Sequence, residues 1–323
     1  MGHEQPAHYE GRPLPRPGEE VVDQGLRFDL DTLGRRRFLR ALGLGAAVVG
    51  LAACGDSTSS AGASPTAATA ATAEIPDETA GPYPGDGSNG PDVLTQNGIV
   101  RSDIRSSFGT ASAAAEGVPM TLELTLTDLT RKVPFAGVAV YVWHCDRDGG
   151  YSLYSQGIEN ENYLRGVQVA GADGVVRFTS IVPACYTGRW PHIHFEVYPD
   201  QAGIADASTA IATSQVALPQ ATCAQVYAVP GYERSVENLT QVTLERDNVF
   251  GDDAGASQLA TVTGDIITGL TVALAVGVDT TTTPTGGQAV GDGAPAGAPP
   301  GSPGGTPPSG PPPGPRPSGA PPR

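Results

Sequence analysis

The sequence predicts an all-β domain, an antiparallel β-sandwich with long loops, lying between two end segments that do not read as packed structure. Three observations carry this expectation. Thr121-Leu122-Glu123-Leu124-Thr125-Leu126-Thr127 alternates apolar and polar residues with the period of a half-buried strand. Gly137 to Trp143, "GVAVYVW", is a denser apolar run suited to a central strand, and no stretch of comparable length carries a 3.6-residue apolar stripe.

The remaining strand signals follow in order. Val175-Val176-Arg177-Phe178 comes directly after the turn signal Ala172-Asp173-Gly174, and Ile193 to Val197, Val242 to Leu244 and Ile266 to Val278 supply further strands. Short strands separated by Gly, Pro, Asp and Asn favour a sandwich or barrel whose loops carry function. The stretches Gly149 to Val167 and Pro199 to Thr213 are the expected lids or rims.

The end segments read as an address, a tether and a tail. Arg35-Arg36-Arg37-Phe38-Leu39-Arg40 precedes a short apolar run, Ala41 to Ala53, too short to span a bilayer as a helix. This matches a twin-arginine export signal. The run ends on Leu51-Ala52-Ala53-Cys54, which resembles a lipoprotein box with Cys54 as the lipidated residue. Residues 1–54 are therefore expected to be a signal, 55–73 a Ser/Thr/Ala tether, 74–279 the folded domain and 280–323 a disordered Pro/Gly tail holding nearly half of the 30 prolines.

Charge and cysteine usage narrow the partners. A formal net charge of −15 argues against nucleic acid or an anionic membrane surface, both of which reward basic residues. Membrane contact is then expected only through a lipid anchor. Beyond Cys54 the chain has Cys145, Cys185 and Cys223, enough for one disulfide and one thiol; Cys185 with Cys223 is the preferred pair, because Cys145 falls at a buried strand.

The chemistry concentrates in "PACYTGRWPHIHFEVY", residues 183–198. On a strand, His192, His194 and Glu196 share one face while Ile193, Phe195 and Val197 turn to the core. Cα atoms two residues apart lie about 6.5 to 7 Å from one another, so the two imidazoles can converge on one ion. Gly188 and Pro191 allow a turn that folds Tyr186 back toward them, and Gly149-Gly150 allows a bend that aims Tyr151. Taken singly, each of these aromatic and charged residues also suits a structural role. His144 and Trp143 read as packing residues.

Jointly they resemble the intradiol ring-cleavage dioxygenases, the group that includes catechol 1,2-dioxygenase and protocatechuate 3,4-dioxygenase. That family's Trp-x-x-Asn/Asp-x-x-Gly-x-Tyr segment is matched by Trp143, Asp146, Gly149 and Tyr151. Its Tyr…Arg-x-x-His-x-His segment is matched by Tyr186, Arg189, His192 and His194. "ETAGPY" resembles the segment near the family's substrate pocket, with Thr79, Pro82 and Tyr83 as candidate pocket residues, and Gln215 of "TSQ" falls where the family places a glutamine.

The resemblance implies a mononuclear non-haem Fe(III) held by Tyr151, Tyr186, His192 and His194. It also implies cleavage of a catechol by dioxygen between the two hydroxylated carbons to a cis,cis-muconate-type diacid. Phenolates are hard anionic donors, which suits a trivalent ion. By motif position Tyr186 is the tyrosinate that leaves the metal and takes a substrate proton. Arg189 would stabilise the electron-rich ring, and Gln215 would either bind an oxygen intermediate or hold Arg189. Two other readings stay open here: a copper or zinc site built on His192 and His194, and a non-catalytic exported β-sandwich that binds without metal. The catechol derivative and any homo-oligomer are also left open.

Overall fold

The computed structural model describes residues 70–285 and the backbone of one antiparallel pair of two-residue strands, His8–Tyr9 with Arg12–Pro13. The twin-arginine run, Cys54, nearly all of the tether and residues 286–323 lie outside the described residues. No helix among the described residues is long and apolar enough to cross a membrane.

Nine strands and two short helices make up the domain. The strands are β1 (Pro119–Asp128), β2 (Val133–Pro134), β3 (Ala139–Trp143), β4 (Arg165–Val169), β5 (Val175–Ile181), β6 (His192–Tyr198), β7 (Ala212–Ala217), β8 (Thr261–Asp265) and β9 (Gly269–Val278). The helices are α1 (Gln220–Val226) and α2 (Glu233–Leu239). One sheet runs β8-β9-β1 and continues from β1 to both β2 and β5; the other is the four-stranded order β4-β3-β6-β7.

The alternation read in β1 does what period two demands. Leu122, Leu124 and Leu126 turn inward with Phe178 of β5 and Val272, Leu274 and Val276 of β9. They meet Val140, Val142, Ile193, Phe195, Val197 and Val216 of the second sheet in one core. Strands β3 and β6 are buried on both faces, because the segment around Val93, Leu94 and Ile99 covers Tyr141, Trp143 and Tyr198 on the far side. That second face carries His192 and His194, so the functional side chains sit in a dry layer beneath a loop rather than at an open sheet surface.

The sandwich is all-β as expected, with differences in detail. The β9–β1 pair is parallel, with Leu124 opposite Leu274, whereas the other pairs between named strands are antiparallel. The helical excursion separates β7 from the β8–β9 hairpin, and no hairpin joins β9 to β1, so β9 can lie beside β1 in the parallel sense. Strand β4 begins inside the first stretch taken for a loop and runs two residues past it, and β7 begins at the end of the second. Val242 to Leu244 is not a strand: Leu244–Arg246 is a 3-10 turn, followed by Asp247 accepting from the amides of Val249 and Phe250 at 2.9 and 3.1 Å. Ile266 belongs to a turn, held by the Asp265 carboxylate accepting from the amides of Ile267 and Thr268, both at 2.8 Å. Helices α1 and α2 have seven residues each, too short to write an apolar stripe.

The preferred disulfide is also corrected. Cys145, Cys185 and Cys223 are all free, buried thiols. The Cys185 thiol is directed to the carbonyl of Arg189 at 3.5 Å, and the Cys145 thiol to that of Ala184 at 3.8 Å. Burial raises the Cys185 and Cys223 thiols to about 12 each, so both stay protonated at neutral pH.

Candidate metal centre

Four donor atoms converge beneath the covering loop. Nε2 of His192 and Nε2 of His194 are 3.1 Å apart, and the Tyr151 hydroxyl is 3.4 Å from each. The Tyr186 hydroxyl lies 3.2 Å from His192 Nε2 and 3.5 Å from the Tyr151 hydroxyl. Each donor arrives for a local reason. β6 places both histidines on one face, with His194 opposite Trp143 of β3 and Gln215 of β7 in register. Gly188, at φ +82°, closes the turn in which the Arg189 amide donates to the Tyr186 carbonyl at 3.3 Å. Gly149, at φ +89°, and the Asp146 carboxylate, accepting from Asp148 and Gly150 amides at 3.0 and 2.8 Å, shape the bend before Tyr151.

The arrangement fits a cation. His192 Nδ1 donates to the Trp190 carbonyl at 2.5 Å, which fixes the tautomer and leaves the Nε2 lone pair facing the cluster. His194 is clamped by Trp143, whose ring stacks on it at 4.9 Å and 7°. Behind it Gly81, at φ +71°, comes so close that a Cβ would lie 3.3 Å from His194 Cε1. Donors placed about 2.0 to 2.1 Å from one ion in a tetrahedral array lie about 3.3 to 3.4 Å from each other, close to the separations seen. Among the described residues no group of three or more His, Cys, Asp and Glu is placed to hold a metal; this centre draws half its donors from tyrosine.

Burial sets the charge states. It pushes the Tyr151 phenol well above its ordinary value, with Tyr186 and Cys145 adding to the rise, and it pushes Tyr186 up to about 12 against the opposing pull of Arg189. Burial holds His192 and His194 well below the usual imidazole range; Arg189 adds to this for His192, and His192 and then Arg189 do so for His194. The protein thus keeps two neutral imidazoles ready as donors. It surrenders the two phenolic protons only to a concentrated positive charge.

Arg189 stands at the edge of the cluster, with Nη1 3.5 Å from His192 Nε2. Its Nε donates to Asp247 Oδ2 at 3.0 Å and its Nη2 to Gln215 Oε1 at 2.7 Å. Gln215 in turn donates to the Thr79 carbonyl at 2.9 Å. Of the two roles open to Gln215, this geometry provides the second: it holds the arginine. Burial opposes the Arg189 charge, but Tyr186 and Asp247 outweigh it and keep the guanidinium cationic.

The other expected residues divide. Tyr83 packs on Tyr151 with ring centroids 5.0 Å apart, and Thr79 joins through its carbonyl. Pro82 is exposed, and its carbonyl accepts from Asn89 at 2.8 Å, outside the cluster. His144 bonds the Cys145 carbonyl and Ser180 at 2.8 and 2.7 Å and takes no part. Asp247 was not foreseen. It lies 58 residues from Arg189 in a polar loop whose composition, Arg246-Asp247-Asn248, carries no chemical signature.

A family model described as Dioxygenase matches residues 89–281. The chain belongs to the dioxygenase family. The resemblance read from the two tyrosine motifs is borne out, and the match spans the whole sandwich. Among solved structures, an intradiol ring-cleavage dioxygenase from Tetranychus urticae is 21% identical with a TM-score of 0.51, covering 66% of this chain and 98% of that one. A second dioxygenase crystal structure is 21% identical with a TM-score of 0.53, covering 67% and 98%. Likeness at this identity establishes the fold. A chlorocatechol 1,2-dioxygenase of Rhodococcus opacus is 39% identical over 57 residues, 18% of this chain and 22% of that protein, so the matched segment spans about a fifth of the curated relative.

Proposed function

We propose that the protein is an Fe(III)-dependent intradiol dioxygenase that opens a catechol-type ring between its hydroxylated carbons with dioxygen, giving a cis,cis-muconate-type diacid. The observation that carries this reading is the convergence of both phenols, Tyr151 and Tyr186, with both imidazoles, His192 and His194, within 3.5 Å of a common partner. A copper or zinc site built on the two histidines would have no use for the phenols. A ferric ion held here would draw electron density from a bound catecholate and so open the ring to dioxygen.

The chain's own residues then do the following. Tyr151 and Tyr186 as phenolates would offset two of the ion's three positive charges, and the neutral imidazoles would add donors without adding charge. Tyr186, which by its motif position is the tyrosinate that would leave the ion, is the donor that would accept a catechol proton at its hydroxyl oxygen. Arg189, held by Asp247 and Gln215, presents Nη1 to the ring as charge develops. The covering segment with Tyr83 excludes water. Chlorocatechol, which the curated relative's name carries, and its parent catechol are the substrates to try first. The leader read in residues 35–54 supports export through the twin-arginine route and a lipid anchor at Cys54 as part of this proposal.

The test is direct. Protein loaded with ferric iron should show a visible tyrosinate charge-transfer band, weakened in Tyr151→Phe, and should turn catechol and dioxygen into a product absorbing in the ultraviolet. Protein that takes up no iron and stays colourless overturns the proposal; a yellow semialdehyde product would show extradiol cleavage instead.

A further inference from the structure

The least expected side chain of the domain is Arg165 at the start of β4. It is 1% exposed, and among the described residues no ion pair includes it. An uncompensated buried cation is costly unless every donor is satisfied, and here every one is. Nε donates to Ser152 Oγ at 3.1 Å. Nη1 donates to the Pro84 carbonyl at 2.7 Å and the Tyr141 hydroxyl oxygen at 3.0 Å. Nη2 donates to the Tyr83 carbonyl at 3.0 Å and the Ser152 carbonyl at 2.9 Å. A guanidinium has five N–H donors in a fixed fork, and all five are used.

Four of the five acceptors belong to two chain segments, Tyr83–Pro84 and Ser152, that both reach the metal centre; the fifth is Tyr141 of β3. Ser152 follows the ligand Tyr151, and Tyr83 packs its ring on that same ligand at 5.0 Å. Tyr154 fastens the pair again: its hydroxyl accepts from the Gly85 amide at 2.9 Å and donates to Asn89 at 2.8 Å. The backbone is strained on both sides of the tie. Leu153 has φ +73° and Leu164 has φ +57°, two of only four non-glycine residues in the left-handed region among the described residues. Such conformations persist where surrounding contacts over-determine them, and they gather at functional sites.

We propose that Arg165 is a positioning residue for the metal centre: it locks the Tyr83–Pro84 wall and the Tyr151–Ser152 turn into one body, so that the phenol ligand and the aromatic wall beside it keep a fixed relation. Its consequence for catalysis rests on the ferric reading; the tie itself does not. Geometry rather than charge is the function. A lysine, with three donors from one point, cannot reproduce the fork.

The experiment compares Arg165→Met, Arg165→Lys and the milder Ser152→Ala with the parent, using near-ultraviolet circular dichroism to confirm folding. In iron-loaded protein the tyrosinate band should shift and weaken in all three variants, most in Arg165→Met. KM for catechol should rise more than kcat falls, with kcat/KM down about 10- to 100-fold for the arginine variants. In metal-free protein, amide hydrogen exchange should quicken at residues 83–85 and 151–155 together. A merely destabilised fold would lower the melting temperature but leave the band and KM of the folded molecules unchanged, which overturns the proposal. So does an Arg165→Lys variant with the parent's band and KM. If Arg165→Met does not fold, Ser152→Ala decides on the same measurements. If the parent takes up no iron, the ferric reading fails, and unchanged exchange in the two segments would overturn the tie independently.

Discussion

Replacing Asp247 with Asn separates the charge that holds Arg189 from the shape that surrounds it. Asp247 is fully buried, and its Oδ2 accepts from Arg189 Nε at 3.0 Å and the Trp190 amide at 2.6 Å. Its Oδ1 accepts from the amides of Val249 and Phe250 at 2.9 and 3.1 Å. An asparagine offers one oxygen in place of two, so whichever way it turns, two N–H donors face an amino group. The Arg189 cation is also left without its counter-charge in a site where its side chain is 9% exposed. Breaking a buried ion pair from one side costs about 3 to 5 kcal/mol. With an m-value of about 2 to 3 kcal/mol/M in urea this is a midpoint shift of about 1 to 2.5 M, read on metal-free protein so that ligand binding does not mask it. In iron-loaded protein, a misaimed guanidinium should lower kcat by about 10²- to 10³-fold, the usual scale for losing one preorganised charge-stabilising group. KM should change less. Because Gln215 grips the same guanidinium at 2.7 Å, Asp247→Asn and Gln215→Ala should be strongly non-additive in kcat. A midpoint within about 0.2 M of the parent, equivalent to about 0.5 kcal/mol, with unchanged kcat, would refute the claim that this carboxylate fixes Arg189.

Other perturbations follow from the same geometry. Gly81→Ala combines a φ of +71° with a Cβ 3.3 Å from His194 Cε1, so it should cost about 1 to 2 kcal/mol and weaken iron binding; a fully loaded, equally stable variant would count against that close approach. Glu78 is raised to about 7, first by burial and then by Asp252. Between about pH 4.5 and 7 the folded state holds a proton that the unfolded state has lost, so this group's contribution to stability falls as pH rises through that window, by about 2 to 3 kcal/mol in all. The parent's stability relative to Glu78→Gln, measured by urea unfolding from pH 4.5 to 8, should decline accordingly; a flat difference would show that Glu78 ionises normally. A chromogenic thiol reagent added to an unfolded, unreduced Cys54→Ser variant should count Cys145, Cys185 and Cys223 as three free thiols, and a lower count would restore a disulfide.

What the sequence made legible is what short-range geometry decides. The strand period alone puts His192 and His194 on one face and Ile193, Phe195 and Val197 on the other, and the structure keeps that division. A left-handed glycine stands in each turn, Gly149 before Tyr151 and Gly188 after Tyr186, where the phenols come within hydrogen-bond distance of the imidazoles. Strand β4 escaped notice because its five residues, RGVQV, sit where loop composition dominates, and their pairing with β3 is a tertiary fact. The parallel β9–β1 pair and the free cysteines were hidden for a related reason: alternation reports a strand's faces but not its partner, and cysteine spacing does not report where thiols meet.

Charge balance was the least legible level, and its physical origin explains why. A buried cation is stabilised by whichever oxygen atoms the fold delivers to it, and these are drawn from anywhere in the chain. Arg189 finds its counter-charge 58 residues downstream in a loop, while Arg165 finds none among the described residues and is solvated by two carbonyls some 80 residues upstream, together with a serine and a tyrosine. The two arginines thus differ in kind. Arg189, with one carboxylate and one amide behind it, has Nη1 turned toward the donor cluster and can respond to charge that develops there. Arg165 has every donor committed and can only hold. It follows that conservative substitution should separate them: Arg189→Lys keeps a cation beside Asp247 and should retain part of the rate, whereas Arg165→Lys keeps the charge, loses the fork and should retain little of the parent's affinity for substrate. Equal sensitivity of the two positions, measured as kcat and KM on iron-loaded protein, would mean that the division between a responsive and a structural cation is wrong.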